Sequence, residues 1–340
     1  MTRIPENFIS QRLLTQMLRN KGDVAKYGEE VSTGYKVQEP GDSNYSSTVS
    51  QMRGVLEEID GQQSRVATAM GYLQTQDSVF GDLNDVLVRA NEIAAQAANE
   101  TNSPETRAQL AAEVYEIRNQ VISLGNSKYL GRFLFAGGAD NNPAYDTGYA
   151  GAGNQFTVPG TAGDPANDVY GYTTNADASL TRTVPVTNDL SVQVNASGSG
   201  IFNDAIRGLT QLGRALSGYQ TVWTTTDPPV PDQAQSVAYN FPTDFNQQTQ
   251  DIQAALDLIE SSRATDVVPA RTAVAGRMRR LQSAESLLDL SKTSAQEILT
   301  NLQQADVFES ATRLTEAQTA LNASLQVTTQ LLGQSILDFL

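Results

Sequence analysis

Apolar residues return at alternating three- and four-residue intervals over most of this chain, the period of a helix with one buried stripe. Met52, Val55, Ile59, Val66, Ala69, Leu73, Phe80, Leu83, Leu87, Ala90, Ala94 and Ala97 follow it, broken once around Gln62. The run from Asn99 to Pro104 reads as a stop and a restart, with Ser103 a candidate N-cap and Pro104 at the first helical position. The stripe then resumes with Leu110, Val114, Ile117, Val121 and Leu124, and closes near Gly125-Asn126. Tyr129 to Phe135 changes to bulky, alternating residues, which predicts an extended strand or hairpin arm closed by Gly137-Gly138.

Proline divides the chain in the same places. Of the 12 prolines, eight lie between Pro143 and Pro242; the others are Pro5, Pro40, Pro104 and Pro269. A helix interior excludes proline, which lacks an N–H and clashes with the preceding turn. Long helices are therefore expected within 6–39, 41–103, 105–142 and 270–340. The middle should be mostly loop and short β runs, the clearest being 180–186 and 190–195. A helix at 201–219 carries Ile201, Ala205, Leu209, Leu212 and Leu216 near one face, and a Thr/Pro/Asp loop follows at 220–243. Helix resumes near Asp244, and beyond Pro269 one helix is expected to run to about Gly333, on the order of 100 Å. Its seam positions are Val307, Ala311, Leu314, Ala317, Leu321, Leu325, Thr328, Leu332 and Phe339, with Leu321 and Leu325 on one face. Such a helix needs partners, and Ile4, Phe8, Leu14, Met17, Val24 and Val31 repeat at similar spacing near the other end.

Composition narrows what the chain can do. Its 340 residues carry a net charge of −15 and contain neither cysteine nor histidine. That removes disulfides, thiolate chemistry and the commonest general base and metal ligand. An acidic chain repels phosphate backbones, so no nucleic acid is expected as partner. No run approaches the roughly 20 apolar residues that span a bilayer, so no membrane insertion is expected. Residues 1–20 lack the apolar core and cleavage site of a secretory signal. The carboxylate pairs Glu57/Glu58 and Asp82/Asp85 read as solvated helix charge, and no lysine sits in a catalytic motif. No enzyme activity, cofactor or metal is expected. Asp140 to Asp146 reads as a polar turn; against calcium, it lacks the glycine and glutamate of a binding loop. Trp223 with Tyr219, Tyr239, Phe241 and Phe245 reads as the small core of an insertion, with a binding cleft as the other possibility.

Several motifs carry a family resemblance. Val31-Ser32-Thr33-Gly34-Tyr35-Lys36-Val37, then Glu39-Pro40-Gly41-Asp42-Ser43, resembles the turn and spoke of the flagellin superfamily, with Ser43 where the family has a second aspartate. The stretch Arg89 to Thr101, with Gln96-Ala97-Ala98-Asn99, is similar to another family segment. Gly131-Arg132-Phe133-Leu134-Phe135-Ala136-Gly137 and the ending Leu331 to Leu340, with Asp338-Phe339-Leu340, resemble the hook-associated junction proteins within that superfamily more than flagellins. Val192 to Phe202 and Ala270 to Leu281 fit the same group, the second with Ala275-Gly276 in reversed order and Arg279 replacing an asparagine. The resemblance covers about 1–138 and 190–340, and fails across 140–185 and 220–243.

The resulting expectation is a mostly α fold with a β-rich inserted lobe. A coiled-coil stem from both termini should join a helical-bundle outer domain with a β-hairpin, and a distal β domain. The boundaries are 1–44 for the N-terminal stem helix and spoke, 45–138 and 201–300 for the outer domain, 139–200 for the inserted β domain and 301–340 for the C-terminal stem helix. Ile4, Phe8, Leu14, Met17, Leu18, Val31, Leu314, Leu321, Leu325, Leu332 and Phe339 are the candidate assembly residues. A two-helix pair would leave Ile9, Leu13, Leu18, Leu331 and Ile336 exposed for further neighbours; a purely internal two-helix core is the alternative. Gly34 and Asp42 mark the spoke, with Asp42 capping the next helix; Arg132, Phe135 and Gly137 mark the family motif. The resemblance implies a structural part of the bacterial flagellum at the hook–filament junction, outside the cell. It implies self-association in a ring, contact with an adjacent hook-associated protein and flagellin, and export by the flagellar type III system. It also implies a cytoplasmic export chaperone on the C-terminal helix. A filament flagellin or a coiled-coil surface adhesin are the other readings.

Overall fold

The computed structural model describes residues 6–36, 46–98, 103–138, 140–146, 155–157, 169–172, 180–221 and 238–337. The fold is predominantly α-helical with small antiparallel sheets. The helices are α1 Glu6–Thr33, α2 Ser46–Ala97, α3 Pro104–Gly125, α4 Ser199–Leu216, α5 Phe245–Ser262, α6 Val268–Gln303 and α7 Val307–Leu337. The strands are β1 Lys128–Tyr129, β2 Arg132–Phe133, β3 Tyr145–Asp146, β4 Gln155–Thr157, β5 Val169–Tyr172, β6 Thr183–Pro185 and β7 Ser191–Gln193. They form the hairpins β1–β2 and β6–β7 and a three-stranded sheet of order β3-β5-β4. The chain divides into two compact units, one of residues 1–61 with 288–340 and one of residues 62–287.

In the second unit, Ser103 Oγ accepts the Thr106 amide at 3.2 Å and Pro104 occupies the first turn of α3, as the spacing predicts. β1 and β2 are joined by the two-residue turn Leu130-Gly131, both at positive φ (48° and 78°), a geometry that follows the right-handed twist of the strands. Beyond β2 the chain dives inward. Phe135 is fully buried, with its ring 5.6 Å from Phe80 of α2 and 4.9 Å from Phe202 of α4. The Gly198 amide donates to Phe135 O at 2.8 Å and Gln76 Nε2 donates to Val194 O at 2.6 Å, which fixes the β7-to-α4 connection to α2 and the motif segment. α4 is expected to show one buried face, yet it is buried nearly all round from Gly208 to Leu216. Gly208 and Gly213 make this possible. A Cβ at Gly208 would lie 2.7 Å from Ile259 of α5, and one at Gly213 would lie 2.6 Å from Tyr115 of α3. Only hydrogen lets both neighbours approach.

Pro269 does not interrupt the helix as expected. α5 and α6 are continuous through one π-helical turn, Arg263–Val267, in which the Val268 amide reaches back to Arg263 O. The widened turn directly precedes Pro269 and absorbs the missing hydrogen bond and the ring.

The single C-terminal helix expected beyond Pro269 is instead two. α6 stops at Gln303 and α7 starts at Val307. Asp306 causes the restart: its Oδ1 accepts the amides of Phe308 at 3.0 Å and Glu309 at 3.2 Å, a side-chain N-cap inside a stretch with unbroken apolar spacing.

Candidate assembly interface

The break between α6 and α7 is held by the turn that ends α1. Gly34, at φ +75°, closes α1 in the left-handed conformation, its amide donating to Glu30 O at 2.8 Å. Its carbonyl accepts the Ala305 amide at 2.8 Å, and the Lys36 amide donates to Gln303 O at 2.7 Å. Tyr35 and Gln304 thus pair as one antiparallel bridge. From this joint α1 and α7 run antiparallel, with Ser310 Oγ donating to Glu30 Oε2 at 2.8 Å near the joint and Asn20 Nδ2 donating to Ser324 Oγ at 2.8 Å further along.

The seam between them is small and polar. On α7 the covered positions include Ser310, Leu314, Ala317, Leu321, Ser324 and Thr328, a heptad pattern with serine or alanine at every second position, and Ala311 beside it is half-buried. On α1 they are Leu13, Met17, Asn20, Val24, Tyr27, Gly28 and Val31. Asn20 is the most enclosed, at 7% exposed. Its amide also accepts from Gln16 Nε2 at 3.1 Å, so the buried polar group is satisfied. Gly28 sits against Leu314. Arg313 lies over the Tyr27 ring and bonds Glu309 Oε1 at 2.6 Å, and its pKa is raised by Tyr27 first and then by Glu309.

The candidate residues separate accordingly. Met17, Val31, Leu314 and Leu321 are half-buried in this seam. Leu14 is 55% exposed, Leu18 59% and Leu325 45%, so these three lie outside it. Leu321 and Leu325, read from spacing as one face, part company because the seam follows 314, 317, 321, 324 and 328. Leu13, expected among the outward flanks, is half-buried against α7 instead. Ile4, Asp42 and Phe339 lie outside the described residues, as do the side chains of Phe8, Ile9, Leu331, Leu332 and Ile336. Phe308, which spacing did not single out, is 88% exposed beside the α6–α7 break. The restart at Asp306 turns it outward, and only that cap could have signalled it.

The family-motif residues serve the second unit's core. Arg132 binds Asp140 at 2.8 and 3.0 Å, and Arg182 reaches the same carboxylate at 3.1 Å. Asp140 is therefore occupied by two guanidiniums in the loop considered for calcium. Phe135 centres the aromatic cluster, and Gly137 holds φ +59° at the turn beyond it. Glu57, Glu58, Asp82 and Asp85 are all exposed on α2. Among the described residues no three acidic side chains form a metal-binding group, and no helix is long and apolar enough to cross a membrane. Trp223 lies outside the described residues. Tyr239 is buried near Phe241, and burial, then its hydrogen bond to Asp251, pushes its hydroxyl pKa far up.

Residues 4–140 match the bacterial flagellin N-terminal helical region. The chain is 29% identical over 139 residues to flagellar hook-associated protein 3 of Escherichia coli (strain K12), covering 38% of this chain and 43% of that protein. It is 23% identical over 125 residues to a flagellin of Clostridium tyrobutyricum, covering 36% of this chain and 33% of that one. The matches thus span less than half of these relatives' own length. In three dimensions the fold is shared with FlgL of Xanthomonas campestris, with a TM-score of 0.54 at 16% identity over 73% of this chain and 99% of that one. Over residues 4–140 the chain is thus similar to the flagellin N-terminal helical region, with hook-associated protein 3 among the relatives it resembles.

Proposed function

We propose that this chain is a structural subunit of the bacterial flagellum, a hook-associated junction protein that links hook to filament through its two terminal helices. One observation carries the reading: among its described side chains α1 buries no apolar group, and α7 buries only Ala317. Helices of 28 and 31 residues with apolar stripes and a half-covered seam lack the packing that normally sustains them, since an isolated helix is marginal in water. Leu14, Leu18 and Leu325 are the surfaces offered to neighbouring copies in a ring. The same reading takes an adjacent hook-associated protein and flagellin as axial neighbours, an export chaperone on α7 before assembly, and delivery outside the cell by the flagellar type III route. The role is mechanical, not enzymatic.

Gold labelling of this chain on purified flagella tests the proposal. Label confined to the hook–filament junction is expected. Label along the whole filament would make the chain a flagellin, and label on the cell body away from flagella would make it a surface adhesin.

A further inference from the structure

Several arginines of the second unit meet a carboxylate. Arg132 and Arg182 share Asp140, Arg207 has Asp204, and Arg271 has Asp77. Arg107 of α3 does not. It is 5% exposed, and no acidic side chain among the described residues lies within ion-pair distance of it. Its Nη1 donates to Gln248 Oε1, its guanidinium stands 4.8 Å from the centre of the Phe245 ring, and its Nε has no partner. Gln248 cannot turn away to offer more, because its Nε2 donates to Ala215 O at 2.7 Å. Burial lowers the Arg107 pKa and no neighbouring acid raises it. A buried cation without an opposite charge is costly wherever it occurs, and guanidinium stays charged under all ordinary conditions.

This cation lines a cavity of about 340 Å³. The remaining wall is Leu216, Phe241, Pro242 and Phe245, with the backbone turn at Ser217-Gly218 and Ala108. We propose that the cavity is a binding site for a carboxylate carried on a small apolar body, with Arg107 as the group that recognises the anion. The Nη donors not used by Gln248 match the two oxygens of a carboxylate, which guanidinium binds in a fork geometry, while the enclosed Nε shows how little else compensates the charge. One cation among aromatic and aliphatic walls suits a monoanion. A phosphate dianion would need further positive groups, and the wall supplies none. The carboxylate can come from a free small acid or from an Asp or Glu side chain on another protein chain, since both present the same group to Arg107. The site is independent of the terminal helix pair and does not rest on the flagellar reading.

The test is titration of the full folded chain with benzoate, using benzamide as the uncharged isostere. Binding is read from the Arg107 Nε–H resonance and from thermal unfolding. Benzoate is expected to shift that resonance saturably and raise the unfolding temperature, with benzamide doing neither. Arg107→Met should weaken benzoate binding by about tenfold or more, the worth of one charge-assisted contact. Ala108→Phe at the cavity mouth should block binding with Arg107 intact, so the site stays testable if Arg107→Met fails to fold. Benzoate that stops wild-type self-assembly while bound places the natural acid on a neighbouring chain; unaffected assembly makes it a free acid. No benzoate response in the wild type, or an equal response to benzamide, overturns the proposal.

Discussion

The pair α1–α7 and the bundle around Phe135 are both made of helices with regular apolar stripes, yet they hold together in different ways. Around Phe135 the stripe residues are sealed: Leu73, Phe80, Leu83, Leu87, Phe202, Leu209 and Leu212 have no exposed surface. Close approach there depends on glycine at 208 and 213 and on aromatic edges meeting faces. In the terminal pair the same period places Ser324 opposite Asn20, Leu314 against Gly28 and Ser310 against Glu30, and its seam leucines are only half covered. A helical period thus says that a face will be covered, not how fully or by which chain. The bundle completes its core within one chain, whereas the terminal pair fixes alignment through polar contacts and leaves apolar surface outward. A buried asparagine suits that division, because polar seam positions specify register at a cost in stability.

The largest expected effect falls on the sealed region. Phe135→Ala removes a ring packed against two others and should cost about 3–5 kcal/mol. Thermal unfolding followed by circular dichroism will show it, and a loss under 1 kcal/mol would mean the bundle core is not the rigid part. Next comes the combination Leu18→Glu and Leu325→Glu. Both side chains are exposed, so the unassembled chain should keep its unfolding temperature, within about 0.5 kcal/mol. Assembly should nevertheless fail, because burying unpaired carboxylates costs about 2 kcal/mol or more. Under the proposed junction role, motility and junction formation measure this, and normal swimming would overturn these residues as assembly surfaces.

Gly34→Ala comes third. Nothing crowds the position, so its cost is the left-handed backbone alone, about 1 kcal/mol. Hydrogen exchange at the Lys36 and Ala305 amides should speed up about fivefold while the bundle amides stay unchanged. Equal acceleration everywhere would tie the joint to the bundle's cooperative unit.

The smallest effect concerns Asp266 in the π-helical turn. Burial, and more weakly Asp204, raises its pKa, against the hydrogen bond from Thr265. With the folded value above the unfolded one, the folded state holds the proton more tightly. Stability therefore falls as pH rises from the ordinary carboxylate value through the raised one. Asp266→Asn should raise the unfolding temperature at neutral pH and leave it unchanged at low pH. The opposite order would mean that the carboxylate is needed in its charged form.

The helical parts were legible because they obey one rule at a time. Apolar residues at helical spacing in 52–97 and 110–124, with Ser103-Pro104 between them, are sufficient to place α2, α3 and the break that separates them. The hairpin was legible in kind from Tyr129 to Phe135, although its turn rests on Leu130 accepting a positive φ. Two readings failed where one local signal met a stronger contact. Pro269 stays in a helix because a π turn precedes it. The C-terminal helix breaks because Asp306 caps a new start while Gly34, some 270 residues earlier in the chain, supplies the carbonyl that binds Ala305.

The sequence by itself determined the helical character, the pairing of the two chain ends as an expectation, the absence of cysteine and histidine chemistry and the motifs that resemble those of flagellins. Each depends on residue type and near-neighbour spacing, which the chain carries in one dimension. Only the tertiary structure decided which stripe residues are covered, that Leu321 faces α1 while Leu325 does not, and that Arg107 is buried without an acid beside it. Those outcomes depend on contacts between residues far apart in sequence. Half a turn of rotation about a helix axis, invisible to periodicity, separates a seam position from an exposed one.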